Sequence, residues 1–147
     1  MPFISKDFGI ANLRKKIPKN TPVIFTSNHQ NGLMDPLAII YSTRKQVVFL
    51  ARADIFRKKI IARLLHFLKI LPIFRPRDGF RSVDQNREMF AEASRVLFNN
   101  RAVSLFPEGN HQGRKYLRTL KKGAARLALQ AMENSDFQPD LKIVPAG

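Results

Sequence analysis

Short apolar runs alternate with longer amphipathic runs along most of this chain. The apolar runs have the length of buried strands, and the amphipathic runs carry apolar residues at helical spacing. The predicted strands are 22–25, 46–50, 71–74, 102–106 and 141–144. The predicted helices are 35–43, 53–70, 82–98 and 121–132. Regular alternation of strands and helices predicts an α/β fold, with helices on both faces of a mainly parallel sheet.

Two predicted helices begin with polar residues that suggest capping. Asp35 stands directly before Pro36, which is typical of an N-cap followed by proline at the first helical position. Ser82, with Gln85 three residues later, indicates a capping box at the start of the third helix. A purely structural role for Asp35 is therefore open.

Three polar segments follow predicted strands and would emerge together at the carboxyl edge of a parallel sheet. They are the loop that holds His29, the turn at Arg75 and the loop that holds Glu108. Ligands of open α/β sheets bind at this edge, so His29 and Asp35 lie where chemistry is expected. A single histidine in a loop is more often a surface residue than a base, so these residues alone do not define a function.

Four short motifs are similar, in content and in order, to those of the glycerolipid acyltransferase family, of the lysophosphatidic acid acyltransferase type. In chain order they are Asn28-His29 with Asp35, Leu71-Pro72-Ile73-Phe74-Arg75, Phe106-Pro107-Glu108-Gly109 and Ile143-Val144-Pro145. They span residues 28 to 145, which is most of the chain. The resemblance implies a single acyltransferase-like domain over residues 1–147. Within it, residues 1–20 would be an N-terminal lead-in that could contact a membrane surface.

The resemblance also implies an activity, which is transfer of a fatty acyl group from an acyl thioester to a hydroxyl of lysophosphatidate or a related glycerolipid, in phospholipid biosynthesis. His29 would be the general base, and Asp35 would hold its ring and stabilise the imidazolium. The donor would be acyl-coenzyme A or acyl carrier protein, which is a co-substrate. Neither a cofactor nor a metal ion is therefore expected.

Acceptor binding is likewise implied by the resemblance. Glu108 and Gly109 would shape the acceptor site, in the loop after the predicted fourth strand. Arg75, Arg114 and Lys115 would contact the phosphate of the acceptor, a role suited to guanidinium and ammonium groups. These residues would act on a lysophospholipid at an anionic membrane surface.

The chain departs from the family pattern in three places. Five residues separate His29 from Asp35, where four are usual, so a loop residue would have to bulge for the two side chains to meet. Asn110 and His111 follow the third motif, where Thr and Arg are usual, so the phosphate-binding charge would come from further along the loop. The fourth motif lies at the very end of the chain, where family members normally continue, so the domain is expected to be truncated.

A strong excess of positive charge limits the classes of binding partner that this chain is expected to have. The 26 Lys and Arg residues outnumber 11 Asp and Glu residues, and the net charge is +15. Such a field favours anionic partners, which include nucleic acid, acidic lipid headgroups and phosphorylated substrates such as coenzyme A. The chain has no cysteine, which excludes a Cys nucleophile and thiolate metal sites. It has neither a run of 18 apolar residues nor a recognisable signal peptide, so a transmembrane helix is not expected.

Residues 53–70 combine both features, because apolar residues recur at helical spacing and basic residues fill the gaps. A basic amphipathic helix suits contact with a membrane surface, and Arg57, Lys58 and Lys59 are candidates for that contact. The alternative is that the apolar side packs on the sheet and the basic side is solvated. On the first interpretation the protein would be peripheral, at the cytoplasmic face of the cell membrane.

Three other functions are open. A catalytically inactive relative that binds membrane surfaces would have the same charge pattern. Nucleic-acid binding would also account for the charge, but recognised RNA and DNA motifs are absent and no nucleic-acid partner is expected. A hydrolytic metal site could draw on His29, Asp35, Glu108 and His111, although these ligands lack the tight spacing of known metal motifs.

Overall fold

A computed structural model describes residues 17, 20–27, 34–43, 45–75, 81–107, 122–136 and 140–146. Five parallel strands form one sheet in the order β3-β2-β4-β1-β5. The strands are β1 (Val23–Ser27), β2 (Val47–Arg52), β3 (Ile70–Ile73), β4 (Ala102–Leu105) and β5 (Lys142–Ala146). The helices are α1 (Met34–Ser42), a 3-10 helix (Ala53–Phe56), α2 (Lys59–Phe67), α3 (Ser82–Phe98) and α4 (Gly123–Glu133).

Apolar clusters on the two faces of the sheet confirm the α/β fold with helices on both sides. On one face, which we call the α3/α4 face, Ile24 and Val103 pack with Leu97 of α3 and Leu127 of α4. On the other, which we call the α1 face, Ile39 of α1 joins a cluster of buried strand residues. Its strand members are Val23, Phe25, Val47, Phe49, Ala102, Val144 and Ala146. The central strands are therefore buried on both sides, which explains their continuous apolar sequences.

The direction of the connections explains this division of the helices. From β1 to β2 and on to β3 the chain moves one way across the sheet, whereas from β3 to β4 and on to β5 it moves the other way. Connections between parallel strands are almost always right-handed, so a change of direction changes the face that the helix covers. The rule assigns α1 and α2 to one face and α3 and α4 to the other, in agreement with the packing of α1, α3 and α4.

Both predictions about helix starts are wrong by a small shift. Asp35 is the second residue of α1 and Pro36 the third, so Asp35 does not precede the helix as an N-cap would. Its carboxylate lies in the first turn, where the positive end of the helix dipole stabilises its negative charge. Arg81 occupies the N-cap position of α3 without a side-chain hydrogen bond, so the predicted capping box is absent. Ser82 is already helical and is buried, so its side chain packs instead of capping.

The predicted helix 53–70 is divided into two pieces. The 3-10 helix ends at Phe56, and α2 runs from Lys59 to Phe67. Lys69 has a left-handed backbone conformation, with φ of 56°, and its N–H donates to the carbonyl of His66. This conformation terminates the helix and turns the chain directly into β3.

We expect Leu127→Ala to lower the free energy of unfolding by about 2–5 kcal/mol, because Leu127 is fully buried against the sheet and its truncation leaves a cavity. Leu129, two residues further along α4, is 61% exposed, so Leu129→Ala is the matched control and should cost less than about 0.5 kcal/mol. Urea unfolding of both variants measures the difference. Equal destabilisation by the two changes would contradict the packing of α4.

Candidate active site

Two central strands end side by side at the carboxyl edge of the sheet. β1 and β4 are neighbours, and Thr26 of β1 lies opposite Leu105 of β4, near the ends of both strands. The chain leaves β1 toward β2 through α1, and it leaves β4 toward β5 through α4, in the opposite direction. α1 and α4 lie on opposite faces of the sheet, and a crevice is expected beyond the carboxyl ends of two adjacent strands that are followed in this way, which is the usual ligand site of open α/β sheets.

Most of the residues predicted for catalysis and acceptor binding follow these two strands in the sequence. His29, Glu108, Gly109, Arg114 and Lys115 fall outside the described residues. The structure shows where the segments that contain these residues leave the sheet. The segment that leads to His29 leaves β1 at Ser27, and the segment that leads to Glu108 leaves the neighbouring β4 and passes Phe106 and Pro107.

Asp35 is described, and it lies at the same edge of the sheet. α1 follows β1, so its first turn stands near the carboxyl end of that strand, and Asp35 is the second residue of that turn. The side chain is half-buried. Asp35 is therefore a carboxylate on a regular helix, and it follows His29 by six positions in the sequence.

Arg75 belongs to a cluster of three charged side chains. Arg52 ends β2, Asp54 lies in the 3-10 helix after it, and Arg75 follows β3. Arg52 donates from Nε to Asp54 Oδ1 at 3.1 Å and from Nη2 to Asp54 Oδ2, which makes a two-pronged contact. Arg75 donates from Nη2 to the same Oδ2 at 3.2 Å. Among the described residues two cations therefore share one carboxylate at the carboxyl edge.

The electrostatics of the cluster hold Asp54 ionised. The hydrogen bond from Arg52 is the largest influence, and with the charges of Arg52 and Arg75 it lowers the pKa of Asp54, although partial burial opposes the shift. Arg75 is the less exposed of the two arginines, with 16% of its side chain accessible. The carboxylate therefore restrains a guanidinium group that a flexible side chain would otherwise leave mobile.

A second contact fixes the backbone just before Arg75. The N–H of Phe74 donates to Oδ1 of Asn86 at 2.8 Å, and Nδ2 of Asn86 donates back to the Phe74 carbonyl at 2.6 Å. The amide of Asn86, in α3, thus pairs with Phe74 as a neighbouring strand would. Arg75 is held from both directions, through its backbone by α3 and through its side chain by Asp54.

The cluster extends the candidate site from the central strands β1 and β4 toward the outermost strand, β3. β3 is the edge strand, and two strand spacings, about 10 Å, separate it from β4. Asp54 follows β2, which lies between them, and its contact directs the Arg75 side chain toward the end of β2. A bound molecule of moderate length could therefore contact Arg75 at one end and the crevice beside β1 and β4 at the other.

Sequence reasoning selected Arg75 but missed Arg52, Asp54 and Asn86. A local signal existed for the first pair, because an acid two residues after an arginine at a strand end is unusual in a chain with so few acidic residues. For Asn86 no local signal existed, since its partner is 12 residues away. Among the described residues no three His, Asp or Glu side chains lie close enough together to hold a metal ion.

The chain is similar to known acyltransferases. The family model described as Acyltransferase matches residues 11–147. A 1-acyl-sn-glycerol-3-phosphate acyltransferase of Borreliella burgdorferi is 29% identical over 116 residues, which are 79% of this chain and 44% of that protein. A chloroplastic 1-acyl-sn-glycerol-3-phosphate acyltransferase of Arabidopsis thaliana is 27% identical over 144 residues, which are 95% of this chain and 37% of that protein. The chain thus spans less than half the length of either relative.

We expect Asp54→Asn to lower the free energy of unfolding near neutral pH by about 1 kcal/mol, because two guanidinium groups lose their shared carboxylate. The pKa of Asp54 is lowered in the folded state, so this contribution is complete above the unfolded pKa of about 3.9 and is lost as pH falls through the folded value. Urea unfolding at a series of pH values measures it.

The difference between wild type and Asp54→Asn should be constant at neutral pH and should shrink in acid. Glu88→Gln is the control, because Glu88 is an exposed acid in the middle of α3 and is distant in sequence from the cluster. A difference that stays the same down to the lowest pH would show that the carboxylate charge of Asp54 does not stabilise the fold.

Proposed function

The chain belongs to the acyltransferase family, and from that membership we propose that it transfers a fatty acyl group from an acyl thioester to a free hydroxyl of lysophosphatidate or a related glycerolipid. The names of the two relatives support this choice of acceptor. The observation that carries the proposal is the adjacency of β1 and β4, whose following helices α1 and α4 lie on opposite faces of the sheet. The segments that lead to His29 and Glu108 begin at those two strand ends, about 4.8 Å apart.

In the proposed mechanism His29 is the general base. It removes the proton from the acceptor hydroxyl as the hydroxyl oxygen attacks the thioester carbonyl, so a C–O bond forms and a tetrahedral intermediate results. Asp35 orients the imidazole ring and stabilises its protonated form. When the C–S bond breaks, the thiolate leaves and the proton passes to it from His29. A thiol with a pKa of about 8.5 is a good leaving group, so the reaction needs no nucleophile on the protein.

The Arg75 cluster supports a phosphorylated acceptor. Guanidinium groups bind phosphate through paired hydrogen bonds, and Arg52 and Arg75 bring two of these groups together at that end of the site. Glu108 and Gly109 complete the acceptor site in this proposal, and Arg114 and Lys115 add charge from the same loop.

The donor is an acyl thioester of coenzyme A or of acyl carrier protein. Both carry a phosphopantetheine arm and negative charge, and the net charge of +15 suits either. Because the acceptor is a lipid, the proposed place of action is the cytoplasmic face of the cell membrane, with the protein bound at its surface. No cofactor takes part in this reaction.

His29→Ala should lower the rate of acyl transfer at least about 10²-fold, since the acceptor hydroxyl loses its base. Release of free thiol from a short-chain acyl-coenzyme A, with a water-soluble lysophosphatidate analogue as acceptor, measures the rate without a membrane. His66→Ala is the matched control, because His66 is an exposed histidine of α2 with no role in the proposed mechanism. Its ring lies tilted against that of Phe56, with 5.3 Å between the ring centroids.

Near-normal turnover in a folded His29→Ala protein would contradict the mechanism. If the wild type itself releases no thiol in response to the acceptor, the result would instead indicate a catalytically inactive relative. Neither result depends on lipid binding, because donor and acceptor are both soluble.

Arg75→Lys should raise KM for the phosphorylated acceptor by about ten- to a hundredfold, with a smaller change in kcat, because lysine keeps the charge but loses the paired donors. The same variant should use the corresponding acceptor without phosphate as well as the wild type does. A comparison of the two acceptors with one enzyme preparation therefore controls for folding. Equal losses with both acceptors would exclude phosphate recognition by Arg75.

A further inference from the structure

Helix α2 turns its apolar side away from the protein. A helix on a sheet normally packs its apolar stripe inward and exposes its polar side. In α2 large apolar residues are exposed along with the charged ones, since Ile60 is 83% exposed and Phe67 is 82% exposed, and none of its nine residues is buried. The interpretation that this apolar side packs on the sheet is therefore wrong.

The spacing of the exposed residues defines a continuous surface. Ile60, Leu64 and Phe67 follow at intervals of four and three, so they share one side of the helix. Ile61 and Leu68 are also exposed and widen that side. The helix itself packs on β3 and on the 3-10 helix.

Helix α1 also exposes apolar residues, although its Ile39 is buried against the sheet. Its exposed residues are mainly large and apolar, and they are Met34, Leu37, Ile40 and Tyr41. α1 and α2 lie on connections that cross the sheet in the same direction, so right-handed crossovers bring them to the same face. The opposite layer differs, because the exposed positions of α3 are mainly charged, among them Arg87, Glu88 and Arg95.

Positive charge accompanies the apolar side of α2. Residues 57–69 contain five basic residues and no acidic one, and these are Arg57, Lys58, Lys59, Arg63 and Lys69. Arg57, Lys58 and Lys59 precede or begin the helix, and α2 follows β2, so this cluster lies toward the carboxyl edge of the sheet. An anionic bilayer presents negative headgroups over an apolar interior, and it is complementary to both features at once. A nucleic acid would complement the charge but would leave the apolar side uncovered.

We propose that α2, with the outward side of α1, docks this domain on an anionic lipid bilayer. Ile60, Leu64 and Phe67 lie at the level of the acyl chains, and Arg57 and Lys58 lie among the headgroups. Within the part of the chain that the structure describes, no helix has the length and apolar character needed to cross a bilayer. The inference rests on the proposed function and deepens it by naming the docking surface, and lipid binding is measured without donor or acceptor, so the two can fail independently.

A single tryptophan provides a direct test, because the chain has none of its own. In Phe67→Trp the emission should shift to shorter wavelength when vesicles of phosphatidylcholine with phosphatidylglycerol are added, and bromine-labelled lipid should quench it. Leu129→Trp is the matched control, since Leu129 is exposed on the other layer and should show neither effect. Unchanged emission from Phe67→Trp in the presence of vesicles would overturn the proposal.

The same reporter detects other occupants of this surface. If a second copy or another segment of the protein covers α2, the emission of Phe67→Trp would already be shifted before lipid is added, and it would stay the same afterwards. Sedimentation at several protein concentrations then identifies self-association. Either result would overturn docking on lipid.

Vesicle co-sedimentation tests the two components of the surface separately. Ile60→Ser with Phe67→Ser should lower the partition coefficient at least about tenfold, whereas Leu129→Ser should leave it unchanged. Lys58→Gln with Lys59→Gln should weaken binding by roughly fivefold for each charge, and only on vesicles that contain phosphatidylglycerol. Arg87→Gln with Arg126→Gln, on the charged layer, is the matched control. Equal losses from both charge pairs would assign binding to net charge and overturn the role of α2.

Discussion

Right-handed crossovers are the constraint on which the rest of this structure depends. Parallel strands cannot be joined by a tight turn, so every connection passes over one face of the sheet. Here the chain moves in one direction from β1 to β3 and in the other from β3 to β5. The reversal opens the crevice between β1 and β4, and it also separates the helices into two layers. The position of the candidate site and the separation of the helices into two layers therefore have a common origin.

The pattern of the sequence was sufficient for the elements but not for their arrangement. Buried parallel strands are continuously apolar, so β1 and β4 could be located within two residues of their observed ends. The strand order could not be predicted, because a hydrophobic pattern does not say which strands pair. The predictions for the starts of α1 and α3 were wrong for a different reason. Capping depends on the position of a single residue, and a shift of one places Ser82 inside the helix.

The same distinction applies to the site. The motifs selected Arg75 from its place after a predicted strand, but its supports come from separate parts of the fold. Asp54 is 21 residues from Arg75, and Asn86 approaches Phe74 from α3. Contacts of this kind leave no periodic pattern in the sequence. The amphipathic spacing of α2 likewise predicted an apolar side correctly, but spacing alone contains no information on whether that side faces the sheet.

The shared carboxylate of Asp54 changes the character of anion binding at this edge. The guanidinium groups of Arg52 and Arg75 already have an ionic partner within the protein, which is Asp54. An arriving anion therefore exchanges with an existing contact instead of filling an empty positive site, so only part of the attraction appears as affinity. Small inorganic anions, which offer nothing else, are disfavoured relative to molecules that also contact the crevice. In the proposed reaction the same exchange would let a charged product leave readily, because Asp54 is in place to recover Arg75.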